Sequence, residues 1–254
     1  MRVVAAFVCS FFLICSCNPA PMAPREQVKS DIFRSKVDLS MLDWFRRRFD
    51  IPSEYILQIT KDKAHESCSS GKGVVVYQDQ LEAGLRFPLD PFVKLFLNAY
   101  GIAPGQLHPN SYRILTGFIE LMHREGKEPS LVVLRYIYSL QKKRGELAFS
   151  LVAVPQYNIF IRLKDLPKSW RNKYFVVEHP SEFDDVRCLW SDECQKVRRV
   201  SKLPSEDLEL IERYHFMYAL GSSSAVTHSR WYLSRLYPGK RYSKGEFLFV
   251  SILF

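Results

Sequence analysis

The sequence predicts an α+β fold, in which a cluster of helices is followed by a small antiparallel β-meander and a C-terminal helix. The chain has 254 residues, 47% of them apolar, which is enough to bury one sizeable core. Apolar residues recur with a helical period before residue 144 and alternate with a period of two between residues 147 and 163. This change of period places most of the helices before the meander.

Two helices joined by a stiff turn are predicted in the middle of the chain. Asp90 is a suitable N-cap and Pro91 fits the first helical position. Gly101 suits the left-handed residue that ends a helix. Pro104 and Pro109 bound the turn, because proline cannot continue a helix.

The second of these helices is predicted from Pro109 or Asn110 to Gly126. Its apolar residues form a single stripe that faces the core. They are Ile114, Leu115, Phe118, Leu121 and Met122. His108 is interpreted as a hydrogen-bonded cap of this helix rather than as a reactive group.

One more helix is predicted on each side of this pair. The first spans residues 36–50, with Asp38 or Ser40 as its cap, and the other spans residues 130–144 and ends at Gly145. Both carry basic residues in the last turn, where the helix dipole explains them.

Four strands and a last helix complete the predicted elements. The strands are residues 74–77, which stand apart, and residues 147–152, 159–163 and 174–178, which form the meander. Ser205 is the expected cap of the C-terminal helix.

The best candidate for a nucleic-acid contact is the basic segment 167–173. It contains Lys168, Trp170, Arg171 and Lys173, so that a ring could stack on a base while the cations meet phosphate. In the alternative interpretation, Trp170 only fills the edge of the core. The net charge of +9 favours an acidic partner, either nucleic acid or an anionic membrane surface.

No motif indicates catalysis. Tyr77-Gln78-Asp79-Gln80 resembles the Tyr-x-Asp-Asp core of a reverse transcriptase, but Gln80 cannot replace the second carboxylate that metal-dependent phosphoryl transfer requires. The pair Asp184-Asp185 is interpreted as solvated surface. We therefore expect no enzyme activity and no small-molecule substrate.

The cysteines do not predict a metal site. Cys188 and Cys194 are separated by five residues, whereas the paired cysteines of structural zinc sites are usually about two to four residues apart. We expect no metal and no other cofactor.

Residues 1–24 have the pattern of a leader. Arg2 precedes an apolar run at residues 3–14, which has the length of a signal-peptide core. The alternative is an error in the gene model, with Met22 or Met41 as the true start.

The rest of the chain favours an intracellular setting, nuclear or cytoplasmic, for the folded part. Without the leader, Cys68, Cys188 and Cys194 remain, an odd set that is not a disulfide framework. No Asn-x-Ser/Thr glycosylation site occurs in the sequence. The leader alone points to secretion.

Several runs resemble the plant family of gypsy-type transposon domains. The most specific is Ile102-Ala103-Pro104-Gly105-Gln106-Leu107-His108-Pro109-Asn110-Ser111, and residues 84–89, 128–130, 145–150 and 169–177 continue the resemblance. It covers roughly residues 51–177. Gly105 stands where the family leads us to expect serine, a small-for-small change that leaves the resemblance intact. The family name implies a link with transposable elements and no established catalytic residues.

The resemblance implies a non-enzymatic, transposon-derived protein with a binding or assembly role on nucleic acid. We expect residues 36–180 to form the transposon-like domain and residues 181–254 to form a helical, basic extension. The last ten residues are expected to be a gene-model artefact. The alternatives are a fragment of a DNA-processing enzyme, similar to a transposase or integrase, and a secreted binding module.

Overall fold

The computed structural model describes residues 33–67, 73–154, 157, 159–160, 163 and 165–219. The predicted leader at residues 1–24 and the last ten residues lie outside this part of the chain. The described residues form an α+β fold, as the sequence predicts. The helices are α1 (Leu39–Arg48), α2 (Gln78–Glu82), α3 (Pro91–Tyr100), α4 (Pro109–Arg124), α5 (Leu131–Ile137) and α6 (Ser205–Ala219). The strands are β1 (Ile56–Gln58), β2 (Gly73–Tyr77), β3 (Tyr138–Lys142), β4 (Phe149–Ala153) and β5 (Tyr174–Glu178), and 3-10 helices lie at Pro104–Gln106 and Lys168–Asn172.

The larger sheet has three antiparallel strands in the order β1-β5-β2. Its middle strand, β5, comes last in sequence and aligns Val176 with Val75 of β2. Alternate residues of β2 and β5 face two different apolar clusters, as the period of a strand requires. One face joins the main core, where Phe45 of α1 stacks on Phe175 with ring centroids 5.1 Å apart.

The predicted meander is wrong. The strand predicted at residues 147–152 pairs with β3 and forms a separate two-stranded sheet, in which Leu140 lies opposite Leu151. The strand predicted at residues 174–178 pairs with β1 and β2 instead. Of the strand predicted at residues 159–163, the three described residues, 159, 160 and 163, lie outside any strand. β3 and β4 form a local hairpin, whereas β5 pairs with strands much earlier in the chain, and local alternation could not identify those partners.

The helix predicted for residues 130–144 is half as long in the structure. It ends at Ile137, and Tyr138–Lys142 forms β3. The sequence here is rich in β-branched and aromatic residues, which are weak helix formers, and pairing with β4 decides the outcome. Gly145, predicted to end the helix, has φ of 69° and lies between β3 and β4.

The predicted end residues of α1 and α3 are confirmed. Asp38 accepts a hydrogen bond from Met41 N at 2.9 Å, and Asp90 accepts one from Phe92 N at 2.8 Å. Gly101 has the left-handed φ of 61° at the end of α3. These caps satisfy backbone groups that helix ends leave unpaired.

α4 is the central helix of the main core. The predicted core-facing stripe is confirmed, because Ile114, Leu115, Phe118, Leu121 and Met122 are all buried. Burial extends beyond this stripe, to thirteen of the sixteen residues of α4. Gly117 is required by this packing, since a Cβ there would lie 2.8 Å from the ring of Phe160. The core also includes Phe183, Val186, Leu210 and Ile211, and the predicted division of the chain at residue 180 stays a prediction.

Among the described residues, no helix has both the length and the apolar character that a membrane crossing requires.

A buried glutamine joins β2 and α2 to the central turn. Gln80 is fully buried, and its Oε1 accepts a hydrogen bond from Tyr77 N at 3.0 Å. Its Nε2 donates to Pro104 O at 3.0 Å and to Leu107 O at 2.7 Å. Gln80, which cannot serve as a catalytic carboxylate, therefore has a structural role: its side chain stabilises the backbone.

Replacing Gln80 with leucine should strongly destabilise the fold. Gln80→Leu keeps a similar volume, but it removes three hydrogen bonds to buried backbone groups, and we expect a loss of about 2–4 kcal/mol in the free energy of unfolding. Urea denaturation followed by circular dichroism measures it. Gln58→Leu, at an exposed position of β1, is the control and should change the value by less than about 0.5 kcal/mol. Equal losses in both variants would refute the role of Gln80.

Candidate nucleic-acid interface

The predicted interface segment is the 3-10 helix Lys168–Asn172 and the residue that follows it. Its tryptophan points inward: Trp170 is only 5% exposed and packs with Ala64, Val75, Tyr77, Tyr174 and Val176 in a small core on the second face of the sheet. Its ring lies 4.9 Å from that of Tyr77 and 5.4 Å from that of His108, measured between centroids. Trp170 therefore occupies the position that the alternative interpretation expected.

Arg171 is held by groups of its own chain. Its Nη2 lies 2.5 Å from Oε1 of Glu146, and its guanidinium lies over the rings of Trp170 and Phe33, at 4.9 and 5.6 Å from their centroids. The side chains of Arg171 and Glu146 are both mostly buried, with 20% and 12% exposed. The pair neutralises the charge that the sequence analysis assigned to a phosphate contact.

Two lysines complete the predicted site. Lys173 is half-buried, and its backbone oxygen accepts a hydrogen bond from Gln78 N at 2.9 Å. Lys168 opens the 3-10 helix. The structure thus brings Trp170 and Arg171 into contact with each other, and the nucleic-acid role of Lys168, Trp170, Arg171 and Lys173 stays a prediction.

A cavity lies next to Trp170. Its walls include Tyr77, Glu146, Trp190 and Gly105, and its volume is about 20 Å³. That volume has room for about one water molecule and is far too small for a nucleobase.

His108 caps α4, as predicted. Its Nδ1 accepts a hydrogen bond from Asn110 N at 3.3 Å. The pKa of His108 is lowered from its ordinary value of 6.5 to about 3, mainly by burial and then by the nearby cations Lys143, Arg171 and Arg113, in that order of effect. His108 is therefore neutral at physiological pH, which keeps Nδ1 available as an acceptor.

The cysteines and acids are dispersed. Cys188 is buried, and burial raises the pKa of its thiol. Asp184 and Asp185 are exposed, and Asp185 lies 3.4 Å from Lys94 Nζ. Across the ranges that the structure describes, no three His, Cys, Asp or Glu side chains come together as metal ligands.

The structure brings together cations that the sequence analysis did not single out. Arg135, Lys196, Arg198 and Arg199 line one groove, called here the basic groove. The short run from Lys196 to Arg199 is visible in the sequence as a charge cluster. Arg135 lies 63 residues before Arg198, and only the fold places it nearby.

The packing around Gly105 leaves no room for a serine side chain. A Cβ added to Gly105 would lie 2.8 Å from Val75 O and 3.2 Å from the Trp190 ring, and the backbone oxygen of a central sheet cannot easily move. We expect Gly105→Ser to lower the free energy of unfolding by about 1–3 kcal/mol, measured by urea denaturation. Gly126→Asn is the control, because no atom lies within 4 Å of a Cβ there and Asn tolerates positive φ. An unchanged stability in Gly105→Ser would contradict this account.

Stability should fall as pH drops below 6.5, in part through His108. Because the pKa of His108 is about 3 in the folded chain and 6.5 ordinarily, the unfolded chain binds a proton that the folded chain does not between these values. Lowering the pH from 7 to 4.5 should cost the wild type about 2 kcal/mol more than His108→Asn, a variant that keeps an acceptor for Asn110 N. Urea midpoints measured across this range give the difference. Parallel pH profiles would refute the assignment.

Comparison with models of protein families gives a match to part of the chain. Residues 74–142 match the model of a family described as "Putative gypsy type transposon". The match runs from β2 through the central turn and α4 to the end of β3. A search of curated proteins and a search of solved structures found no match. Residues 74–142 therefore match a transposon-related family of the gypsy type, and the predicted resemblance is confirmed for that segment.

Proposed function

We propose that this chain is a non-enzymatic, transposon-derived protein that binds nucleic acid. The family match of residues 74–142 supports the link with a transposable element. The net charge of +9 supports the choice of partner, because a strongly cationic protein attracts a polyanion over distances of a Debye length.

The observation that carries the proposal is the contrast between paired and unpaired cations. Among the described residues, six lysine and arginine side chains lie within 4.0 Å of a carboxylate: Lys63, Lys94, Arg124, Lys127, Arg171 and Arg213. Within the described ranges, no such pair involves the four cations of the basic groove. An unpaired exposed cation keeps its full attraction for phosphate.

The buried polar side chains support a structural rather than a catalytic role. Arg86 Nη1 donates to Leu81 O at 2.6 Å and to Leu85 O at 2.7 Å. Thr116 Oγ1 donates to Tyr112 O at 2.8 Å, and Gln80 bonds to backbone as described above. Groups engaged in this way stabilise the backbone and are not available to a substrate.

Binding of the full chain to nucleic acid should depend steeply on salt. If about four phosphates are contacted, affinity for a 20-nucleotide single strand or duplex should fall by about 50–150-fold between 50 and 200 mM NaCl. Fluorescence anisotropy of labelled oligonucleotides measures it. Failure to bind at 50 mM NaCl would overturn the nucleic-acid role.

The same mixtures test the non-enzymatic part of the proposal. Oligonucleotides incubated with the protein and Mg²⁺ or Mn²⁺ should stay intact on a denaturing gel. Cleavage or strand joining that follows the protein through purification would instead support the DNA-processing alternative.

A further inference from the structure

The basic groove lies between β3 and the segment at residues 194–199, and its volume is about 620 Å³. One wall carries Ser139, Leu140 and Gln141 of β3. The opposite wall is fixed in place, since Gln195 N donates to Tyr100 O at 2.8 Å and Val197 packs against the main core. Arg135 spans the groove from α5 and donates from Nη2 to the backbone oxygen of Arg198.

All the charged side chains that line this groove are positive. They are Arg135, Lys196, Arg198 and Arg199, and the lining includes no Asp or Glu. Lys196, Arg198 and Arg199 are exposed, whereas Arg135 is half-buried. Like charges gathered in a concave surface focus a positive potential into it.

The groove offers phosphate contacts without a platform for bases. Tyr100 and Tyr138 line it but are only 6% and 2% exposed, so their rings are covered. Ser139 and Gln141 add an exposed hydroxyl and an exposed amide on the β3 wall, and such groups commonly bond to phosphate and sugar.

We propose that the basic groove binds the phosphate backbone of a nucleic acid independently of base sequence. This inference rests on the proposed function and names the surface that performs it. Three of the four cations of the groove project from one extended stretch, residues 196–199. A nucleic acid suits this row of cations better than an acidic peptide does, because its backbone carries a phosphate at every nucleotide. Sequence independence follows from the contacts that the cations would make, because phosphate groups carry no sequence information. The covered tyrosines offer no exposed ring on which a base could stack.

The test compares two adjacent arginine pairs in the full chain. Arg198→Gln/Arg199→Gln should weaken binding of a 20-nucleotide strand of scrambled sequence by about tenfold at 100 mM NaCl and reduce the salt slope by about 1.5. Arg47→Gln/Arg48→Gln removes the same charge from exposed positions of α1 and should change affinity by less than about twofold. Thermal unfolding midpoints within a few degrees of the wild type exclude misfolding as the cause.

The outcomes separate this inference from the proposed function. If the wild type binds and Lys173→Gln weakens binding while Arg198→Gln/Arg199→Gln does not, the contact lies at residues 168–173 and the groove proposal is wrong. If both arginine pairs weaken binding equally, only net charge matters and the groove is again excluded. If the wild type does not bind any single-stranded, duplex or RNA probe, both proposals fail. If polyglutamate displaces the oligonucleotide equally well per charge, the groove recognises acidic polypeptides instead.

Discussion

The structure depends on two fully buried glutamines that fix the central turn. Gln80 holds the turn against β2 and α2, and Gln106 extends the link in two directions. Gln106 Nε2 donates to Leu147 O at 3.0 Å and to Ser191 O at 2.7 Å, while Oε1 accepts from Ala103 N at 3.1 Å and Ser191 N at 2.9 Å. The buried amide of Gln106 stabilises the fold by bonding to all these backbone groups. Without it they would lack hydrogen-bond partners in an interior that water does not reach.

These bonds connect the family-matched segment to residues beyond it. Leu147 and Ser191 lie outside residues 74–142, as does β5, the strand with which β2 pairs. The matched segment is therefore not a closed unit in this structure: its turn and its first strand find their partners later in the chain. The bond to Ser191, together with that from Gln195 N to Tyr100 O, also places the stretch that follows beside β3. The wall of the basic groove thus follows from the same constraint that fixes the turn.

The features that could be predicted from the sequence are those that depend on interactions between residues a few positions apart. Asp90, Gly101 and His108 act as caps through bonds to neighbours two to four positions away, so their residue types were sufficient evidence. The partners of β5 were decided by pairing with strands much earlier in the chain, and the change from α5 to β3 was decided by pairing with the neighbouring β4. Periodicity reports neither kind of pairing. The candidate interface at residues 168–173 shows the same difference between local features, which the sequence reveals, and contacts that only the fold reveals. A basic run around Trp170 was visible, but the inward direction of the ring and the pairing of Arg171 with Glu146 needed the fold.

The contrast between Arg171 and the basic groove argues for where a polyanion would bind. Arg171 is paired with Glu146 and covered by Phe33 and Trp170, so a phosphate there would have to displace a carboxylate in a poorly hydrated place. In the groove, like charges repel one another and destabilise the folded chain at a net charge of +9. An incoming phosphate backbone relieves that repulsion and releases its own counterions. We therefore expect a phosphate backbone to gain more electrostatic energy at the groove than at residues 168–173, even though both carry several cations.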